Sequence, residues 1–305
     1  MDITKVVIPA AGRGTRFLPL TKSIPKEMIP LLEKPAIQLI LEEGLQSAIK
    51  HYFFISSKNK TSIENYFDSD LELELFLKEQ NRDAVMIGLE RIRRAAQFTY
   101  IRQAEQLGLG HAVSLAAGSI GKEYFGVILP DDIIDAKIPA LEQLMRIARQ
   151  EKATVIAVQE VPTECVSSYG IIAIKKQITS NLFQVNSIIE KPAQKDAPSN
   201  LAVVGRYILS HKIFTSLEHT ALYSTGEIQL TNAISHMIQN NEKVFAYKVQ
   251  GIRYDIGNPI GWVKAIIGLA LTHPQYAPAI RKFIADIDTT HSYLYNQTQN
   301  IEHTL

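Results

Sequence analysis

The chain has 305 residues, 46% of them hydrophobic, enough to bury a large core as one big α/β domain or two smaller ones. Its 32 Lys and Arg against 31 Asp and Glu leave a formal charge of +1, which argues against a polyanion-binding or membrane-surface role spread over the whole protein. The one cysteine, Cys165, rules out an intramolecular disulfide and speaks against a Cys-based zinc site, and a buried thiol is expected there.

The opening MDITKVVIPAAG lacks the basic and long apolar parts of a signal peptide, and no apolar run approaches the ~18–20 residues of a membrane span. A cytoplasmic protein is therefore expected. Val6, Val7 and Ile8 predict a buried strand that runs into a Gly-rich turn. Ile37, Ile40, Leu41 and Leu45 give helical spacing over 36–48, and 52–56 reads as the next strand. Residues 61–67 predict a helix, and so does LELELFL (71–77), where Leu and Glu propensity outweighs the period-two charges. Then follow an extended 98–101, a helix at 109–117, a strand at 125–129, a helix at 138–149 and a strand at 153–158.

This alternation predicts βαβ units: an α/β, Rossmann-like mixed and mostly parallel sheet flanked by helices. Beyond 160 the pattern turns β-rich, with extended segments at 171–174, 184–189 and 203–208 and a loop at 192–200. Helices are expected at 228–239 and 259–271, then a helix from Ala277 to Ile287 and a polar tail.

The stretch AAGRGTRFLPLTKSIPKEMIP (10–30) is the most informative. Gly12 and Gly14 follow the first strand directly, where a parallel sheet binds ligands, and backbone N–H groups there form an anion-binding concavity. Arg13, Arg16, Lys22 and Lys26 precede the first acid, Glu27, a cation density that suits a triphosphate. The stretch has neither a Walker A ending nor a third dinucleotide-loop glycine. Alone, Gly-x-Gly is as well explained by a tight turn, and the cations by a solvated loop. Pro19, Pro25 and Pro30, which stiffen the stretch, fit neither explanation.

The whole stretch resembles the signature of the sugar-phosphate nucleotidylyltransferases, in particular the bacterial UTP–glucose-1-phosphate uridylyltransferase branch. The resemblance continues through RQAEQLGLGHAV (102–113), LPDD (129–132), VPTECVSSYGII (161–172), IIEKPAQKDAPSNLAVVGRYIL (188–209), TGEIQLTNAI (225–234) and YDIGNPIGWVKA (254–265). It implies the nucleotide-diphospho-sugar transferase fold as a single domain over 1–272. A nucleotide part would span about 1–160 and a β-rich sugar-binding part about 161–272, with a C-terminal helix and tail over 273–305. It implies transfer of a uridylyl group from UTP to glucose 1-phosphate, giving UDP-glucose and pyrophosphate, with Mg2+ as cofactor and a homo-oligomer, dimer or tetramer. No nucleic acid or membrane partner is expected.

By the same resemblance Arg16 meets the leaving pyrophosphate and Lys26 the α-phosphate. Asp131, emerging from a hydrophobic strand, and Asp255 hold the metal, a donor set that suits magnesium. Taken singly, Asp255 reads as a helix-capping or turn residue, and Asp132 as a cap or a supporting partner. Glu190, Lys191 and Gly170 fall on the sugar: the carboxylate accepts hydroxyls, the ammonium meets the sugar phosphate and the glycine lets the chain come close. Gln103 and Gly108 read the uracil, with Ala10, Ala11 and Gly12 on its other side. His111 is read as packing or a phosphate-side donor. Asn232 and Ser56–Ser57 depart from the family pattern, at positions tied more to subunit contacts or stability than to catalysis.

Two rivals compete. A thymidylyltransferase would act on the same sugar, since one methyl is worth only ~1–3 kcal/mol in a pocket, although Pro130 before Asp131 follows the uridylyl branch. A non-catalytic regulatory homologue should have lost Lys26, Asp131, Lys191 or Asp255, and all four are present.

Overall fold

A computed structural model describes residues 1–220 and 226–287. After β1 (Lys5–Pro9) come three short 3-10 turns, β2 (Pro30–Leu31), β3 (Lys34–Pro35), α1 (Ala36–Gln46), β4 (His51–Ser56), α2 (Thr61–Phe67), α3 (Leu71–Glu79) and α4 (Ile87–Ala95). Next are β5 (Gln97–Arg102), α5 (Gly108–Ser114), α6 (Ala117–Ile120), β6 (Phe125–Ile128), β7 (Asp132–Asp135), α7 (Ala140–Glu151) and β8 (Thr154–Glu160). The remainder is β9 (Gly170–Gln177), β10 (Leu182–Glu190), β11 (Leu201–Leu209), α8 (Lys212–Glu218), α9 (Leu230–Gln239), β12 (Val244–Lys248), β13 (Ile252–Asp255) and α10 (Pro259–Thr272). The chain is helical again through 277–287. Thr225, which opens the TGEIQLTNAI stretch, and the tail after 287 lie outside the described residues.

The apolar runs form strands because both of their faces are covered. In β1, Val6 and Ile8 pack into one core layer while Val7 packs into the other. In β4, Tyr52 and Phe54 face the first layer, Phe53 and Ile55 the second. Helices α1 and α7 close the first layer with Ile37, Ile40, Leu41, Leu144 and Met145, spaced on one helical face. The LELELFL stretch is indeed helical, capped by Asp70, whose carboxylate accepts from the Leu73 N–H at 3.0 Å.

The main sheet runs in the order β5-β4-β1-β6-β11-β8-β12-β10-β9. Only β10 and β11 run against the other strands, so the sheet is mixed, with seven of its nine strands sharing one direction. An extra pairing of Ala202 with Ile171 joins β9 back to β11, closing the last five strands into a ring of pairings. Two four-residue strands outside this sheet escape the sequence reading, β7 and β13. They pair antiparallel with Asp255 opposite Asp132, which brings two distant acidic motifs together. Among the described residues no helix is long and apolar enough to cross a membrane.

Cys165 corrects one expectation: its thiol is exposed. It sits in the 3-10 turn Thr163–Ser168, where Val166 takes the inward position, so the cysteine faces outward.

The turn between β6 and β7 is fixed from behind by Arg206 of β11, whose side chain is fully buried. Its guanidinium donates to both carboxylate oxygens of Glu43 on α1, at 2.9 and 2.7 Å, and to the carbonyls of Leu129, Gly205 and Asp132. Glu43 in turn accepts from the Leu141 N–H at the start of α7. Removing one partner of such a pair strands the other charge without solvent. Glu43→Ala should therefore lower the unfolding free energy by ~3–5 kcal/mol, read from the urea midpoint at unchanged slope. A loss below ~1 kcal/mol would show that Arg206 is satisfied by the backbone alone.

Candidate active site

Two clefts open along the strand ends on one side of the molecule and meet at a single carboxylate. The smaller, about 310 Å³, is lined by Arg16, Asp131, Gly170, Glu190, Lys191 and Asp255, together with Tyr169, Thr231 and Arg253. The larger, about 460 Å³, is lined by Ala11, Gly12, Gly14, Lys26, Gln103, Gly108, Asp131 and Lys191, together with Arg13, Gln106 and Gln229. Asp131 and Lys191 belong to both. Ala10 lines neither: it is buried behind the loop, its N–H bonded to the Ile55 carbonyl.

At the junction the Lys26 ammonium donates to Asp131 Oδ2 at 2.6 Å, joining the 10–30 stretch to the end of β6. Burial acts to lower the Lys26 pKa, but Asp131 and Glu27 outweigh it and hold the ammonium above the ordinary lysine value. Burial would likewise raise Asp131, yet Lys26 overrides it and holds that carboxyl below the usual range. Both groups stay charged as an ion pair. Next in sequence, Glu27 is sealed in the core with Lys60 at 2.5 Å, which ties the stretch to the turn after β4. The Trp262 indole N–H donates to the Pro30 carbonyl and anchors the far end on α10.

Asp255 closes β13, and its Oδ1 accepts from the Gly257 N–H at 3.0 Å. The Ile256 N–H bonds the Asp131 carbonyl, so the two acids are fixed to one another through backbone. A Cβ placed on Gly257 would lie 3.1 Å from Asp255 Oδ1, 3.3 Å from Asp131 Oδ2 and 3.7 Å from Arg16 Nη1. Two carboxylates and a guanidinium thus surround one point. Capping of α10 falls to Asn258, whose Oδ1 accepts from the Gly261 N–H, and not to Asp255. Asp132 caps no helix either. It begins β7, nearly buried, and grips Arg253 at 2.6 Å and the Gly205 N–H at 2.7 Å.

In the smaller cleft, Glu190 Oε2 accepts from the Thr231 hydroxyl at 2.8 Å. A Cβ on Gly170 would lie 2.8 Å from Thr231 and 3.1 Å from Glu190 Oε2, so packing alone demands glycine there. Lys191 adopts φ +46°, strained for a residue with a side chain, and its N–H bonds the Tyr169 carbonyl. Its exposed side chain lines both clefts, with the ammonium 3.8 Å from Glu190 Oε1. Arg253, held by Asp132, lies over the Tyr169 ring at 5.3 Å. Arg253, Tyr169 and Thr231 escape the sequence reading, because each works through a partner far along the chain.

On the other side, Gly12 is exposed, and a Cβ added there meets no atom within 4 Å. Neither neighbours nor a left-handed φ require glycine, so that space is free for a ligand. Gly108 differs: its φ is +94° and a Cβ would press on Ile228 at 2.9 Å. The Gln103 amide nitrogen lies 3.3 Å from the Gly108 carbonyl and 3.0 Å from His111 Nδ1. Gln106, also unforeseen, links the loop by donating to the Ala11 carbonyl and accepting from Arg13. Lys22, Ser57, Lys58 and Arg102 line a further cleft beside the same loop, so Ser57 stands nearer the site than expected.

The profile of the Nucleotidyl transferase family matches residues 5–270. The UTP–glucose-1-phosphate uridylyltransferase of Staphylococcus haemolyticus is 44% identical over 94% of this chain and 99% of its own. That of Staphylococcus epidermidis is 42% identical over 94% of this chain and 99% of its own. Among solved structures, a UTP-bound UGPase from Acinetobacter baumannii superposes with a TM-score of 0.86 at 37% identity, over 93% of this chain and 99% of that one. A UDP-glucose pyrophosphorylase complexed with UDP-glucose gives 0.82 at 36%, over 89% of this chain and all of that one. From the profile match across most of its length and the close relatives at both levels, the chain belongs to the nucleotidyl transferase family.

Proposed function

We propose that the protein transfers a uridylyl group from UTP to α-D-glucose 1-phosphate, forming UDP-glucose and pyrophosphate. The observation that carries this reading is the junction itself: one cleft rich in loop backbone and cations, one with a carboxylate and a lysine at its rim, and Asp131 with Lys26 between them. Relatives above 40% identity with that activity over nearly the whole chain support it.

A phosphate oxygen of glucose 1-phosphate attacks the α-phosphorus of UTP, and the bond to the bridging β-oxygen breaks in line. The nucleophile is already an anion, so the protein needs no strong base. It must hold mutually repelling anions together and meet charge on the leaving group. Lys26 serves the α-phosphate, Arg16 the departing pyrophosphate, and Lys191 the sugar phosphate. Glu190 accepts sugar hydroxyls, and Gly170 lets Thr231 and Glu190 pack together behind the ring.

Among the described residues no cluster of three or more metal-ligating side chains exists. Asp131 and Asp255 around one point fit magnesium, which takes one or two carboxylates and completes its shell with phosphates and water. When bound there, that ion neutralises charge on the reacting phosphates. Leu71, Phe76, Val85 and Ile87 are exposed around α3, which supports a homo-oligomer.

A panel of four nucleoside triphosphates against several sugar 1-phosphates, read by pyrophosphate release, tests the assignment. UTP with glucose 1-phosphate should lead, and no release above background from folded protein would abandon it.

Asp131→Asn and Asp255→Asn should each reduce turnover by ~10²-fold or more in protein that still folds, with partial recovery at high magnesium. Near-normal turnover in both would remove the metal role.

Lys191→Ala should raise the KM for glucose 1-phosphate far more than that for UTP. Lys26→Ala should lower kcat by ~10²–10³-fold with both substrates saturating. Steady-state kinetics varying each substrate in turn separates them, and matching profiles would refute the division of labour.

A further inference from the structure

Building on the uridylyl-transfer reading, we infer that His111 is a positioning residue for base selection. Its ring Nδ1 fixes the Gln103 amide so that Oε1 faces the nucleotide cleft as the acceptor for an imide N–H.

A backbone carbonyl can only accept, so the Gln103 atom 3.3 Å from the Gly108 oxygen must be the amide nitrogen. That nitrogen also lies 3.0 Å from His111 Nδ1, which must therefore be the unprotonated ring nitrogen, with the ring proton on Nε2. Both amide hydrogens are thereby committed. Gln103 Oε1 is left accepting nothing from the described residues, and it is not among their sealed, unpartnered atoms. Gln103 is only 5% exposed and lines the cleft beside Ala11 and Gly12.

Both ends of this contact are rigid. The Gln103 N–H bonds the Ser56 carbonyl at the end of β4, at 2.8 Å. Helix α5, which carries His111, is clamped by the Gly110 N–H on the Ile228 carbonyl and the Ile228 N–H on the Leu107 carbonyl, at 2.8 and 2.7 Å. Without His111 the amide keeps one long bond and can pivot, offering NH2 where it now offers oxygen.

That difference separates the pyrimidines. Uracil carries a hydrogen on N3, which Oε1 accepts. Cytosine carries a lone pair there, which Oε1 repels and leaves unpaired. Thymine shares the uracil edge, so His111 separates uridine from cytidine nucleotides and leaves the thymine methyl unread.

The test is calorimetric binding of UTP and CTP to the wild type, His111→Ala and His111→Asn, with pyrophosphate release followed alongside. The Asn side-chain oxygen takes the place of Nδ1 as acceptor. His111→Ala should lower the UTP-to-CTP affinity ratio about tenfold, and His111→Asn should keep it within about twofold. An unchanged ratio in folded His111→Ala, an equal loss of both nucleotides, a failure of Asn to restore the ratio, or a wild type that does not discriminate would each overturn the inference. A ratio that depends on His111 without pyrophosphate release would uphold it and overturn uridylyl transfer instead.

Discussion

The site depends on a charge that never meets water. Arg206 sits in the middle of the sheet, and its five donors are spent on Glu43 and on three backbone carbonyls of the β6–β7 turn and β11. A backbone turn at a strand end is normally the softest part of an α/β protein. Here it is braced from behind by a planar cation whose donors point in fixed directions. Asp131 therefore projects from a fixed base, and so does Asp132, which holds Arg253 and with it the Tyr169 end of the smaller cleft. The price is a desolvated guanidinium, tolerable only because every N–H finds a partner.

Much of the fold was legible because it follows from periodicity. VVI, FFI and FGVI are strands since their neighbours on both sides are apolar, and α1 is a helix since its apolar residues recur at three and four. The pairing of β7 with β13 was not legible. DIID and IRYD are short and end in charges, so nothing local marks them as strands; their hydrogen bonds are made only once residues 132 and 255 have been brought together. The outward face of Cys165 was missed for a related reason. A 3-10 turn of six residues has one inward position, and Val166 takes it.

The candidate site was legible through its motifs and much less through its chemistry. Gly12 and Lys26 stand in a stretch whose composition already suggests anions, Asp131 follows a hydrophobic strand, and the fold brings the three to one place. Arg253, Thr231 and Gln106 look like ordinary polar residues in sequence. Each acquires meaning only from a partner 95 to 121 residues away, or 41 for Thr231 with Glu190. Ala10 shows the opposite error, a motif residue that supports the loop from inside and lines neither cleft.

Cys165 is exposed, it is the only thiol in the chain, and it lies four residues before Tyr169 at the wall of the smaller cleft. A maleimide dye or a nitroxide will therefore attach at one defined place in the unaltered protein, with no competing cysteine to remove. Ligand arrival can then be followed optically or magnetically from a probe beside the cleft and outside its lining.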